Sequence, residues 1–327
     1  MKKKICVSGA YGFTGKAICE FLANSKISTT GLVRNLDLSN NSNCINYIPV
    51  GDIGVKTNLK GNLVGADCVI HCAGRAHVMG EKKFDSLKFY HSANVFGTKQ
   101  LAEQAVEAGV KRFVFLSSIK IHGENTYEDP SATNENFHIN KVFTHKDLTE
   151  PNDPYVISKL EAEKILWEIS SRTGLEVVVV RLPLVYGYGA KGNLARLIKI
   201  VKSGIPLPLS LVKNQRSMIG IDNLVNLLIR CIDHPEASGK TFLASDGEDL
   251  STPELIELIA SSMGKKANLF PFPISMLKFL GSVFGRSEEI NRLVGSLRVD
   301  NSYTKEILNW VPPISVEEGI RRMVQEK

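Results

Sequence analysis

Tyr155 and Lys159 stand four residues apart in the run Pro154-Tyr155-Val156-Ile157-Ser158-Lys159. That spacing puts two side chains on one helical face, one turn apart. An ammonium so placed can lower a phenol's pKa from about 10, and it can hold the ribose of a dinucleotide. A phenol tuned in this way can give or take a proton at a sugar hydroxyl while a hydride moves to or from a nicotinamide. Ser117-Ser118 closes an apolar run upstream, and the Ser118 hydroxyl would hold the same oxygen. Tyr-x-x-x-Lys on its own arises by chance in many chains, so its weight depends on what accompanies it.

A second group accompanies it near the N-terminus, in Ser8-Gly9-Ala10-Tyr11-Gly12-Phe13-Thr14-Gly15-Lys16. The glycines fall as GxxGxxG between a short β-branched run and a helical pattern. There they let the backbone approach a pyrophosphate, and the helix start offers the N–H groups around Phe13, Thr14 and Gly15. About twenty residues on, a dinucleotide fold places the side chain that meets the adenosine ribose. Here Gly31-Leu32-Val33-Arg34-Asn35 puts Arg34 in that place, and a cation pairs with a 2′-phosphate, so NADPH is the expected cofactor. The alternative is that Arg34 points to solvent while Asp37 reaches the ribose. Asp52-Ile53 is expected beside the adenine, or Asp52 simply holds a turn.

Positioning these groups requires alternating strands and helices. Strands are expected at Lys4-Val7, Thr29-Val33, Ile45-Pro49, Cys68-His71, Arg112-Leu116 and Glu176-Arg181, and helices at Lys16-Ala23, Phe84-Ala108 and Tyr155-Ser171. Repeated βαβ units of this kind imply an α/β, Rossmann-type, doubly wound parallel sheet. From about Pro183 the pattern breaks into Gly, Pro and short apolar runs, which reads as a smaller α/β C-terminal substrate lobe. The division expected is residues 1–182 with about 217–245 for the dinucleotide domain, and about 183–216 with 246–327 for the lobe. Ser251-Thr252-Pro253-Glu254 carries helix start signals inside that lobe.

The 327 residues are 43% hydrophobic and 23% charged, an ordinary globular balance. The formal charge of +6 is scattered, without a basic stripe interleaved with aromatics, so nucleic acid is not an expected partner. Met1-Lys2-Lys3-Lys4 leads directly into the short run Ile5-Cys6-Val7, which lacks the longer apolar stretch of a signal peptide; a cytoplasmic protein without stable membrane association is expected. The apolar stretch Ile274 to Phe284 is expected to pack in a core or against a subunit, the other reading being a helix lying on a membrane. The six cysteines form no CxxC pair and read as reduced thiols. Cys68, His71, Cys72 and His77 cluster in sequence, but Cys68 and Cys72 on a strand would stand roughly 13 Å apart, and no metal site is expected.

Taken together, the glycine turn, Ser117-Ser118 and Tyr155 with Lys159 resemble the extended short-chain dehydrogenase/reductase family, in its nucleotide-sugar epimerase, dehydratase and ketoreductase branch. Further matching pieces are His71-Cys72-Ala73-Gly74, Asn94-Val95-Phe96-Gly97-Thr98, Arg181-Leu182-Pro183 through Val185-Tyr186-Gly187, and Leu308-Asn309-Trp310-Val311-Pro312 with Glu317-Glu318-Gly319. The resemblance spans nearly the whole chain. It implies that Tyr155, Lys159 and Ser118 are catalytic. It places Cys72, Ala73, Gly74, Asn94, Ser117 and Pro183 around the cofactor, Asn193 and Leu194 against the nucleotide of a UDP-sugar, and Arg216 on its diphosphate. It also implies a homodimer built from the long helix and the Tyr155 helix; Leu160, Ile165, Leu166 and Ile169 would permit that, and would serve an internal core equally.

Two departures refine the expectation. The family's dehydratases carry Asp-Glu after the catalytic Ser or Thr, where this chain has Ile119-Lys120, so dehydration is not expected. The family's Tyr-Gly after the serines is His122-Gly123 here, and His122 is expected to pack or hydrogen-bond rather than act as a second acid. Arg34 then favours an NADPH-dependent 4-ketoreductase of a UDP-2-acetamido-2,6-dideoxy-hexos-4-ulose, giving UDP-N-acetylquinovosamine or UDP-N-acetylfucosamine; the run His71 to Met79 resembles a subgroup of bacterial surface-polysaccharide synthesis. The alternative is a 4-epimerase that keeps NAD and acts on UDP-glucose or UDP-N-acetylglucosamine. A cofactor-sensing protein without turnover is disfavoured, because such relatives lose the tyrosine or the lysine.

Overall fold

The computed structural model describes residues 3–37, 44–75, 88–126, 141–149, 151 and 153–325. Its strands are β1 (Lys4–Ser8), β2 (Ser28–Val33), β3 (Ile45–Pro49), β4 (Cys68–His71), β5 (Arg112–Ser118), β6 (Glu176–Leu182), β7 (Leu184–Tyr186), β8 (Met218–Gly220) and β9 (Lys240–Leu243). Seven of them form one parallel sheet in the order β3-β2-β1-β4-β5-β6-β9. The six expected strands are all present. The seventh, β9, was not foreseen, because Lys-Thr-Phe-Leu is too short to show a strand pattern and forms by pairing with β6.

Because β1 and β4 are sheet neighbours while the chain leaves β1 toward β2, a crevice opens at their C-terminal ends, where ligands of such sheets bind. The central strands are buried on both faces, and in β6 this shows as the continuous apolar run Val177 to Val180 without alternation.

Helices cover both faces. They are α1 (Phe13–Asn24), the single turn α2 (Lys60–Leu63), α3 (Gly97–Glu107), α4 (Pro154–Thr173), α5 (Asn193–Ser203), α6 (Ile221–Asp233), α7 (Thr252–Ser262), α8 (Ile274–Val283), α9 (Ser287–Val294), α10 (Ser302–Leu308) and α11 (Val316–Val324). One face is packed by Ile18, Cys19 and Leu22 of α1 with Leu224, Leu227 and Leu228 of α6; the other by Leu101 and Ala105 of α3 with Leu166 and Ile169 of α4. Leu166 and Ile169 therefore belong to the internal core and are not available to a subunit contact. The long helix expected from Phe84 begins outside the described residues, and its described part turns through a π-helical segment, His91–Phe96, into α3.

α4 starts where its sequence says it must. Asp153 accepts a hydrogen bond from the Val156 amide at 2.9 Å, Pro154 takes the first position, and Gly174 closes the helix in the left-handed conformation at φ +76°. A separate hydrophobic cluster gathers Leu194, Val201, Ile256, Ile259 and Ile320, with α7 fixed by a reciprocal Ser251–Glu254 capping box. On α8 only Leu277 and Gly281 are buried, while Met276, Phe279 and Val283 face solvent, so most of its apolar face lies outside the core, one of the two settings expected for it.

Candidate active site

The crevice gathers the two constellations that lie far apart in sequence. Gly9 ends β1 with φ +69°, and a Cβ there would stand 2.8 Å from the Ala73 amide nitrogen after β4. At Gly15 a Cβ would meet the Gly9 carbonyl oxygen at 2.2 Å. Only glycine permits this turn to fold so tightly against the start of α1. Gly12 caps α1 without a side chain, and helix geometry leaves the amides of Phe13, Thr14 and Gly15 without acceptors inside the helix. They form the anion-binding end expected of a pyrophosphate cradle.

The second constellation comes from β5 and α4. Tyr155 is half-buried, hydrogen-bonded to Ser118 and packed edge-on against Tyr90, the ring centres 5.8 Å apart. Lys159 is buried; its ammonium donates to the Leu116 carbonyl at 2.9 Å and lies 4.5 Å from the centre of the Phe115 ring. The site just outside Gly74 is bounded by Lys159 Nζ and Asn94 Oδ1, which a Cβ at Gly74 would meet at 3.4 and 3.3 Å. Ser117 Oγ is buried without a hydrogen-bond partner among the described residues. The open cradle, the orphan hydroxyl and the exposed α1 amides fit a dinucleotide running from Gly9–Gly15 toward Lys159.

The pKa directions correct one expectation. Burial and the nearby Asp153 push Tyr155 up to about 12, and its bond to Ser118 only partly offsets them. Lys159 in turn is pulled down to about 8 by burial, opposed by Cys72 and Glu163. Burial, and not the lysine, sets the direction of the phenol's shift.

Several side chains assigned to ligands are held by the protein itself. Asn94 Oδ1 accepts from the Arg75 amide at 2.8 Å, and Nδ2 donates to the Arg75 carbonyl and to Ser158 Oγ, so Asn94 braces the loop after β4 and its side chain is committed there. Leu194 is buried in the hydrophobic cluster with Val201, whereas Asn193 is exposed at the start of α5. Arg216 donates through Nη1 to the carbonyls of Arg292 and Gly295 at the end of α9, and Arg292 lies close enough to lower its pKa further after burial. Two guanidiniums thus meet there, and Arg292 was not singled out from sequence. Pro183 is buried after β6, Cys72 and Ile53 are half-buried, and burial raises the Cys72 thiol well above its usual range.

At the ribose end, Arg34 is not a free cation. Its Nε lies 2.7 Å from Asp52 Oδ1, and Arg75 Nη2 reaches the other Asp52 oxygen at 3.4 Å while its guanidinium stacks 3.7 Å above Phe89. Asp37 meets Tyr11 through its backbone, as acceptor and donor to the phenol oxygen at 3.3 and 3.4 Å. Arg75 is the residue that sequence reasoning missed here; nothing in linear spacing links it to Asp52.

His71 and His122 both serve structure. His71 is buried between Ser8 Oγ and Thr98 Oγ1, at 2.6 and 2.9 Å, and burial with the nearby Lys159 lowers it to about 3. Among the described residues no three metal-ligating side chains cluster; His77 lies outside them. Nor is any described helix long and apolar enough to cross a membrane.

This geometry has relatives. Residues 5–244 match the NAD dependent epimerase/dehydratase family, and the chain belongs to it. A "UDP-glucose 4-epimerase" of Vibrio cholerae is 40% identical over 327 residues, covering 99% of this chain and 95% of that protein. Among solved structures, a UDP-N-acetylglucosamine 4-epimerase from Bacillus cereus superposes with a TM-score of 0.76 at 22% identity, over 99% of this chain and 98% of its own. A UDP-glucuronic acid 4-epimerase from the same organism, in complex with NAD, gives 0.75 at 21% identity, over 98% and 97%.

Proposed function

We propose that the protein is a nucleotide-sugar 4-epimerase that works with a retained NAD. The observation that carries the reading is the joining of Tyr155, Ser118 and Lys159 to the Gly9–Gly15 cradle in one crevice, with Arg34 held by Asp52 instead of standing free for a 2′-phosphate. Asp52 supplies the acidic side chain that suits ribose hydroxyls. The 40% identical Vibrio protein, named as a UDP-glucose 4-epimerase, supports the same choice.

Bound NAD would supply the hydride acceptor and donor. The chain's own residues do the rest. Ser118 donates to or accepts from the C4 oxygen and holds it against Tyr155. Tyr155 takes the C4 hydroxyl proton as the sugar is oxidised and returns it as the other epimer forms. Because burial and Asp153 hold the phenol up at about 12, it needs a positive charge beside it to act as base at neutral pH. Lys159 brings one such charge, fixed by the Leu116 carbonyl beside Gly74. Arg216 and Arg292 provide the cationic end that suits a diphosphate.

A second reading is favoured by one observation. Arg34 and Arg75 place two cations against the single carboxylate of Asp52, a surplus that suits NADPH and hence the 4-ketoreductase. Incubating the NAD-loaded protein with UDP-glucose and with UDP-N-acetylglucosamine, without added reductant, separates the two. C4-epimeric product by NMR supports the epimerase. No product from either, with stoichiometric oxidation of NADPH by a UDP-4-keto-6-deoxy-N-acetylhexosamine, would replace it with the reductase.

A further inference from the structure

One buried group outside the reacting trio ties together the elements that carry it. His122 ends the turn of 3-10 helix, Ile119–His122, that Ser118 caps by accepting from the Lys120 amide at 3.3 Å. Its ring is 4% exposed and stacks on Phe143 with centres 5.6 Å apart. On one side, Nε2 lies 2.8 Å from Arg181 Nη1 of β6. On the other, Nδ1 lies 3.4 Å from the Leu148 carbonyl.

A guanidinium can only donate, so Nε2 must accept, and the ring is neutral with its proton on Nδ1, facing the carbonyl. Arg181 is gripped in turn by both oxygens of Glu163, at 3.1 and 2.6 Å. Glu163 sits four and eight residues beyond Lys159 and Tyr155 on the same face of α4. Phe143 continues the chain of contacts into the C-terminal lobe, its amide donating to the Arg298 carbonyl and its carbonyl accepting from Asp300 at 2.9 Å each. The line Glu163–Arg181–His122–Leu148 therefore joins the Tyr155 helix, the Ser118 turn and the segment 143–148 that leads toward Tyr155.

We propose that His122 is a positioning residue that acts through a neutral, Nδ1-protonated ring to hold the Ser118 turn and the 143–148 segment in register with Tyr155. The inference rests on Tyr155 and Ser118 being the reacting pair, and is independent of which sugar they act on. The charged groups facing the ring are Arg181 from β6, Glu163 from α4 and Asp147 from the segment after Phe143. Protonation would turn Nε2 into a second donor aimed at the guanidinium, breaking the line and setting two cations against each other. Activity should then fall on the acid side, below the ordinary histidine range, since burial and Arg181 hold the ring neutral to lower pH.

Three variants and one spectrum test this on the full-length protein. His122→Gln keeps an acceptor for Arg181 and a donor for Leu148 but cannot titrate there; kcat should stay within about threefold and the acid limb should move or vanish. His122→Phe keeps the stack and loses both bonds; kcat should drop about 10- to 100-fold with cofactor binding unchanged, the scale of a small misplacement of reacting groups. 15N–1H correlation spectra, with His122 assigned through the glutamine variant, should show a neutral ring protonated at Nδ1, a readout that does not need the phenylalanine variant to fold. An Nε2-protonated or charged ring at neutral pH, an unmoved acid limb in His122→Gln, or full kcat in His122→Phe would each overturn the proposal. Tyr155→Phe is the control: full activity there sinks the catalytic reading itself, whereas its loss beside an unaffected His122→Phe sinks only the positioning role.

Discussion

Replacing Glu163 with leucine strands the Arg181 guanidinium behind the catalytic helix. The two groups are 2% and 10% exposed, and the guanidinium engages both carboxylate oxygens. Removing one member of such a buried pair costs about 3–5 kcal/mol. Replacing both, as Glu163→Leu with Arg181→Met, removes the charges together and fills similar volume, a change that is close to neutral for buried pairs. What remains is His122 Nε2 without its donor, about 1–3 kcal/mol. The double variant should therefore be more stable than Glu163→Leu alone, a reversal that no sum of independent effects gives. Urea unfolding followed by far-UV circular dichroism and by Trp167 and Trp310 fluorescence measures the wild type, Glu163→Leu, Arg181→Met and the double variant. A double variant destabilised by the sum of the singles would refute the ladder from α4 to the Ser118 turn.

Further outcomes follow from the site. Tyr155→Phe should lower kcat by about 10²- to 10⁴-fold while dinucleotide binding, titrated by fluorescence, stays intact; a smaller loss would exclude the phenol as the proton carrier. Because Lys159 is held down to about 8, its charge is lost as pH rises through that value, and turnover should fall with it; Lys159→Arg should carry the alkaline limb upward, and an unmoved limb would assign it to another group. Asp52→Ala frees Arg34 and Arg75, so NADP should gain on NAD by about 10-fold or more in affinity, and an unchanged ratio in calorimetric titrations would show that the pair does not govern the ribose. Unfolded His71 titrates near 6.5. In the native chain it titrates at about 3, so its contribution to stability is full above pH 6.5 and is lost as pH falls toward 3. His71→Gln should flatten urea midpoints across that window, and an unaltered slope would place the acid sensitivity elsewhere.

The sheet, and the elements that bring Ser118, Tyr155 and Lys159 to one crevice, were legible in the sequence because local pattern decides them. Continuous apolar runs such as Val177 to Val180 declare a strand buried on both faces, and Pro154 marks the start of the Tyr155 helix before any contact is known. The glycine turn was legible for the same reason, since a Cβ at Gly9 or Gly15 has no room. What stayed hidden depends on partners brought from afar. Arg34 read as a cation for phosphate, and its pairing with Asp52 from the loop after β3 was not legible. Asn94 read as a cofactor contact, and its hydrogen bonds to Arg75 and Ser158 were not legible. Lysine and tyrosine at helical spacing suggested a lowered phenol, but spacing says nothing of desolvation, and burial reversed the direction. β9 has too few residues to carry a pattern and exists through β6. His122 was legible as a packing or hydrogen-bonding residue, but its partners Arg181 and Phe143 were not, since they come from β6 and from a separate segment.

The central claim is that the hydride leaves C4 and returns to it within one retained cofactor. UDP-glucose or UDP-N-acetylglucosamine deuterated at C4, given to the NAD-loaded protein, tests it directly by NMR and mass spectrometry of the product. The account predicts C4 inversion with the deuterium kept at C4 and no net change in reduced cofactor. Absence of inversion, with deuterium passing instead from labelled NADPH to C4 of a 4-keto sugar, would contradict it.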